Sequence, residues 1–292
     1  MTKTSPFNRI VRTAVAAGLL SGLVLTGLQS LQVAPIILQA ETYEDAQAKA
    51  ELKPAADAAI AAPQQHADGV QELKAEVAHE HPAAEAHEHV ASAVHEHGAA
   101  AGHAHGSVGA QAHAGPVEHE HGHEHGGWKP ENGAERTFFS ALANISMAVA
   151  FGLLLSAAMT LRGVSHGWRG ALLWGAAGYA VFFLAPSLGL PPEVPGTAAA
   201  PLGARQVWWL LTVAATAGGL ALLALAPRWP LKLAGVAMLL VPHLVGAPQP
   251  LVHASAAPAE LAQSFIYATA FANAVFWLAL GALSGFFFKK FN

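Results

Sequence analysis

The tightest constraint on this chain is a set of six apolar stretches, each close to the length that crosses a bilayer. They cover residues 13–33, 138–161, 170–190, 207–225, 231–246 and 265–288. A hydrocarbon core takes about 20 apolar residues as a helix. Inside it every backbone polar group must be satisfied within the segment, so a helix is the natural form. The fifth stretch is the shortest, begins beside Lys232 and contains Pro242 and His243. It is expected to cross, with a re-entrant segment as the alternative. Charged residues make up 12% of the 292, against about 25% in soluble domains. The expected fold is an all-α integral membrane protein of six transmembrane helices, with a long disordered histidine-rich loop between helices 1 and 2. This divides the chain into 1–33 (N-terminus and first span), 34–137 (the loop) and 138–292 (the remaining bundle).

Charge sets the expected orientation. Residues 34–137 hold 17 acidic and 5 basic side chains, a net −12, while the rest holds 2 acidic and 10 basic, a net +8. Lys3, Arg9 and Arg12 precede span 1, Arg162 and Arg169 separate spans 2 and 3, Arg228 and Lys232 separate 4 and 5, and Lys289 and Lys290 follow span 6. With six spans all of these fall on one side. The short loops opposite carry only Arg205. The positive-inside rule then puts both termini in the cytoplasm and the histidine loop outside. Span 1 reads as an uncleaved anchor, because Leu38-Gln39-Ala40 is a poor cleavage site. Ala14, Gly18, Gly22 and Thr26 recur every four residues, and Gly281 and Gly285 repeat the spacing. Such small-xxx-small faces suit close helix contact.

The loop carries an octad repeat. Fourteen of the 17 histidines lie from His66 to His125. From His79 the chain reads HEHPAAEA, HEHVASAV, HEHGAAAG, HAHGSVGA, QAHAGPVE and HEHGHEHG. Histidine opens five of these octads (His79, His87, His95, His103, His119) and holds the third place in all six (His81, His89, His97, His105, His113, His121). His123 and His125 add a last pair. In an extended chain His-x-His places both imidazoles on one side, so a pair can chelate one ion with the intervening Glu as neighbour. The composition offers too little large apolar surface to fold alone. We expect a flexible string of weak chelators, with some helix near 46–78. The competing reading is a low-complexity spacer without metal chemistry. The absence of Cys excludes disulfides and thiolate ligands. Imidazole with carboxylate suits Co²⁺, Ni²⁺, Zn²⁺ or Cu²⁺ and does not choose cobalt among them.

Polar residues within or beside the spans are few, and such residues are often functional. Asn144 lies in span 2, His243 in span 5 and Asn273 in span 6; Glu193 follows span 3, and Glu41 and Glu44 follow span 1. All fall toward the outer side in this topology. They suggest an external vestibule leading to a metal site among spans 2, 5 and 6. For Asn144 and Asn273 the alternative is interhelical hydrogen bonding. Trp208 and Trp209 read as interfacial anchors. No nucleotide-binding loop or Ser-His-Asp arrangement is visible, and nothing else points to an enzyme or to nucleic-acid binding. No prosthetic group is expected; a lone in-membrane His243 does not suit a bis-His haem.

Several segments resemble one family. They are residues 40–44 (AETYE), 185–196 (APSLGLPPEVPG), 205–209 (RQVWW), 242–248 (PHLVGAP) and Phe276-Trp277. Together they are similar to the CbtA family of predicted cobalt transporters. That family is described as five-spanning membrane proteins linked to cobalamin synthesis, often accompanied by CbtB, a small single-span protein with a histidine-rich end. The resemblance implies cobalt uptake, with such a subunit as partner. Two other roles remain open on the residues alone: a metal-binding adaptor, buffer or sensor serving another transporter, and efflux, which an outward-facing trap disfavours.

Overall fold

A computed structural model of the chain describes residues 5–61, 130–163 and 168–291. The fourteen loop histidines, from His66 to His125, lie outside these residues, as does most of the 46–78 stretch. The helices are α1 (Pro6–Leu28), running through a π-helical turn (Gln29–Val33) into α2 (Ala34–Ala61); α3 (Ala134–Leu161); α4 (Trp168–Tyr179), running through a second π turn (Ala180–Leu184) into α5 (Ala185–Gly189); α6 (Leu202–Leu225); α7 (Trp229–Val245); and α8 (Ala259–Lys290). Among the described residues the only β-type pairing is an isolated antiparallel bridge, Thr197 to Ser255. The chain is therefore an all-α membrane protein. Five helical runs are long and apolar enough to span, and α7, of 17 residues, is the shorter sixth. At 1.5 Å per residue α7 reaches about 25 Å, the low end of the spanning range. The first run does not stop at Val33 but continues as helix through α2.

Local chemistry explains several boundaries. Ser5 caps α1, its hydroxyl accepting from Asn8 N at 3.3 Å, and Pro6 occupies the first helical position. Pro242 sits in the last turn of α7, and Gly246 ends the helix at a positive φ of 85° that favours glycine.

Small residues choose the helix neighbours. A Cβ on Gly18 would lie 2.6 Å from Val149 Cα, and one on Gly22 would lie 2.7 Å from Ile145 Cα, so α1 and α3 touch backbone to backbone. Gly281 of α8 meets Ala171 and Gly175 of α4 in the same way, at 2.7 and 2.8 Å. Gly219 of α6 and Gly235 of α7 each face the other's carbonyl at 2.8 Å. Helix α1 also packs on α8, and the second π turn and α5 pack on α6. The neighbours thus run α3, α1, α8, α4, α6, α7. Phe276 and Leu280 of α8, Leu25 of α1 and Met159 of α3 are fully buried. Trp277 stacks on Phe182 of the second π turn at 5.4 Å between ring centres and contacts Phe151 of α3 at 4.8 Å. Outward faces carry exposed Leu173, Leu210 and Leu240, as lipid contact demands.

The two ends of the bundle differ. The Arg9 guanidinium lies 3.8 Å over the Phe288 ring and that of Arg12 5.9 Å over Phe291. The start of α1 and the end of α8 therefore share one end, here the basic end. At the far end, Ala256 N donates to Gly196 O at 3.0 Å and Ala198 N to Ala254 O at 2.9 Å. These bonds stitch the α5–α6 connection to the α7–α8 connection. Helix α7 runs back beside α6, so that His243 near its end reaches Trp208 in the first third of α6.

Replacing Gly18 by Leu should drive α1 from α3. Overpacking of this kind costs about 1–3 kcal/mol, and thermal melting in detergent should fall by several degrees. Gly27, with nothing within 4 Å of its Cβ position, should accept Ala with little change. Equal behaviour of the two variants would contradict the glycine contact.

Candidate metal-capture site

The far end gathers the charged residues that the spans exclude. Its centre is the proline-rich connection 190–201. Pro191, Pro192 and Pro195 restrict its backbone, and Val194, 3% exposed, anchors it in the core. The neighbouring Glu193 instead lines a cavity of about 370 Å³. Its polar wall also includes Arg205, Gln249 and His253. Arg205 Nη2 lies 3.2 Å from Glu193 Oε2 as an ion pair, and each side chain is about a third exposed, 32% and 29%. Arg205 is placed there because it sits in the first turn of α6. The backbone register between residues 196–198 and 254–256 brings the connection bearing His253 beside the connection bearing Glu193.

Glu44 reaches the same connection. A Cβ on Gly196 would lie 3.2 Å from Glu44 Cβ, so the stem of this glutamate rests against the turn. Gly196 holds φ 75°, a conformation that favours glycine, and this close approach adds a steric reason for it. Glu41 lies nearby on α2 but pairs elsewhere. Its carboxylate accepts from both ends of the Arg136 guanidinium, at 2.8 and 3.3 Å, and Asn132 Oδ1 accepts from Arg136 Nη1 at 2.8 Å. Arg136, Asn132, Gln29 and Ser140 border a second cavity of about 380 Å³ beside the first π turn. π turns inside α-helices often mark functional positions.

The expected convergence of Asn144, His243 and Asn273 does not occur. Asn144 is buried against α1, its amide donating to Thr26 Oγ1 at 3.1 Å and to Gln29 Oε1 at 2.6 Å. Asn273, at mid-length of α8, donates to the Thr269 carbonyl of its own helix at 3.0 Å. His243 stands edge-on to Trp208 of α6, 6.2 Å between ring centres. The reason is packing: glycines draw α3 to α1 and α7 to α6, at opposite flanks of the row. Asn144 therefore serves interhelical bonding, which leaves only its Oδ1 for a ligand role. Trp208 is no simple surface anchor, being 8% exposed and packed over Gly189.

No group of three or more His, Asp or Glu comes together among the described residues. What the far end offers is two cavities, one lined by the Glu193–Arg205 pair and one lined by Arg136, which pairs with Glu41. His253 and Gln249 were not evident as candidates from sequence. The visible signal was Arg205, the lone cation of the short outer loops, since a solitary charge near an interface invites a partner.

The family model for CbtA, described as "Probable cobalt transporter subunit (CbtA)", matches residues 7–289, nearly the whole chain. No curated protein matches the sequence and no solved structure matches the fold.

A double-mutant cycle between Asn144→Ala and Gln29→Ala should give a coupling of about 0.6–1.7 kcal/mol, the range for hydrogen bonds between membrane helices. Unfolding in mixed detergent would measure it. Additive effects would dissolve the bond between these side chains.

Proposed function

The chain belongs to the CbtA family of probable cobalt transporter subunits, and from that premise we propose that it takes up cobalt across the bacterial inner membrane, with the histidine-rich loop as capture antenna. Membership makes it a membrane transporter component rather than an enzyme, with a metal ion as cargo. In the proposed orientation the basic end, with Arg9, Arg12, Lys289 and Lys290, faces the cytoplasm. The far end then faces outward, and so does the loop. This topology makes six passes where the family resemblance implied five.

The observation that carries the reading is the position of Glu44 against the connection that holds Glu193. Helix α2 precedes the histidine segment in the chain, and its Glu44 stem rests against Gly196, three residues from Glu193. Imidazole pairs in the loop exchange ions quickly if each binds weakly, and raise the local concentration at that cavity. Glu44, Glu41 and Glu193 receive the ion, and His243, beyond Trp208, lies on the inward side of the same connection. Asn144 and Asn273 contribute by fixing the helices around this path. Affinities in a His and carboxylate set rank copper above nickel above cobalt. Selectivity for cobalt therefore resides in the cavity and not in the loop, and nickel or zinc is expected to compete for the loop.

The word subunit in the family description favours a second component. A small single-span histidine-rich protein of the CbtB kind suits that place. It also keeps alive the reading of this chain as a metal-delivering adaptor. Purified protein in liposomes decides between them: uptake of radiolabelled Co²⁺ by this chain alone supports the transporter, and uptake only with a partner supports the adaptor.

Deleting residues 79–125 should raise the Co²⁺ concentration for half-maximal uptake more than it lowers the maximum rate. Replacing Glu193 by Gln together with His243 by Asn should lower uptake strongly, and unchanged uptake would remove both from the path. Neutral imidazole is the ligand, so antenna capture should fade as pH drops below about 6.5. The loop-deleted protein should lose that part of the pH dependence.

A further inference from the structure

We infer that Arg205 is a tethered counter-cation, occupying a divalent-cation site formed by Glu193 and His253 until a transition-metal ion displaces it. This rests on the uptake reading above and assigns a regulatory part to its acid-lined cavity.

Three features of the cavity point this way. The first is its donor set. Glu193 supplies carboxylate oxygen, His253 an exposed imidazole and Gln249 an amide, all lining one space of about 370 Å³. Carboxylate with imidazole suits borderline divalent transition ions, whereas Mg²⁺ and Ca²⁺ prefer oxygen alone. Backbone bonds fix this pairing of segments: Ala198 N to Ala254 O and Ala256 N to Gly196 O hold His253 next to a bonded residue, with Glu193 three residues before Gly196.

The second feature is the quality of the ion pair. Arg205 approaches the Glu193 carboxylate to 3.2 Å. Charge-assisted N–H···O bonds are ordinarily about 2.7–2.9 Å. The pair at the neighbouring cavity shows the contrast: Arg136 grips Glu41 with both nitrogens, at 2.8 and 3.3 Å, and Asn132 braces it. No histidine lines that second cavity. One arginine is therefore built to stay and the other to let go.

The third feature is electrostatic. With Arg205 in place the Glu193 charge is neutralised, so the cavity does not hold a monovalent cation tightly. A doubly charged ion that also gains the His253 nitrogen can replace the guanidinium, which moves into solvent from a position already a third exposed. The exchange involves no covalent step. It releases the ion again when Arg205 returns, which suits a site on a path better than a site that stores metal.

The test uses the full-length protein in proteoliposomes and phenylglyoxal, which modifies accessible arginines, with mass spectrometry reading each arginine separately. Saturating Co²⁺ should raise Arg205 modification about two- to fivefold, the range that breaking an exposed ion pair allows. Mg²⁺ at the same concentration should not raise it, and Arg136 should not respond to either ion. Glu193→Gln should give the raised Arg205 modification without metal, and His253→Asn should abolish the Co²⁺ response. Arg205→Gln should lower the Co²⁺ concentration for half-maximal uptake by about threefold, while Arg205→Lys should stay near the unaltered protein. The chemical readout needs no substitution, so it stands even if a variant fails to assemble. Protection of Arg205 by Co²⁺, or no change, would overturn the inference, as would weaker Co²⁺ capture in Arg205→Gln. Uptake with an unresponsive Arg205 sinks the counter-cation alone. A responsive Arg205 without uptake, alone or with a partner, sinks the transport reading and keeps the site.

Discussion

Helices inside a bilayer gain nothing by hiding leucine from lipid, because lipid is as apolar as leucine. What holds them is contact between backbones, and only small residues permit it. The whole arrangement of this protein depends on that constraint. Gly18 and Gly22 seat α3 on α1, Gly175, Gly178 and Gly281 seat α8 on α4, and Gly219 with Gly235 closes the α6–α7 hairpin. With those contacts made, Trp277 of α8 is pressed against Phe151 and Phe182, and the central helices have one packing.

Polar groups are then sorted by what lipid forbids. Asn144 is tolerated within the bundle because Thr26 and Gln29 take its amide hydrogens. Glutamates collect at the far end, where two connections meet and water can reach them. Even there Glu41 and Glu193 each acquire an arginine. A carboxylate left alone near a membrane edge would attract cations without discrimination. An arginine tether sets a threshold that a divalent ion with a nitrogen ligand can pass.

The fold places the residues read from sequence as metal ligands in different parts of the bundle, for physical reasons. Glu193 and Glu44 do lie at one connection, because three prolines and a left-handed glycine hold that connection against α2. Asn144 and His243 do not meet. Their depths followed from counting residues along each helix, but the direction in which each side chain faces depends on the partner helix. His253 escaped notice since a single histidine in a polar loop has no pattern around it. Its neighbourhood to Glu193 comes from hydrogen bonds to residues more than fifty positions away.

The sequence by itself determined the apolar helices, since a bilayer demands apolar runs of a given length. It also fixed the octad pattern of His-x-His pairs, which is local in the chain. The tertiary structure decided which helices are neighbours, that Asn144 bonds to Thr26 of α1, and that Arg205 pairs with Glu193. Those outcomes require two small or two charged residues, distant in sequence, to arrive at one place, and no periodicity along a single helix carries that information.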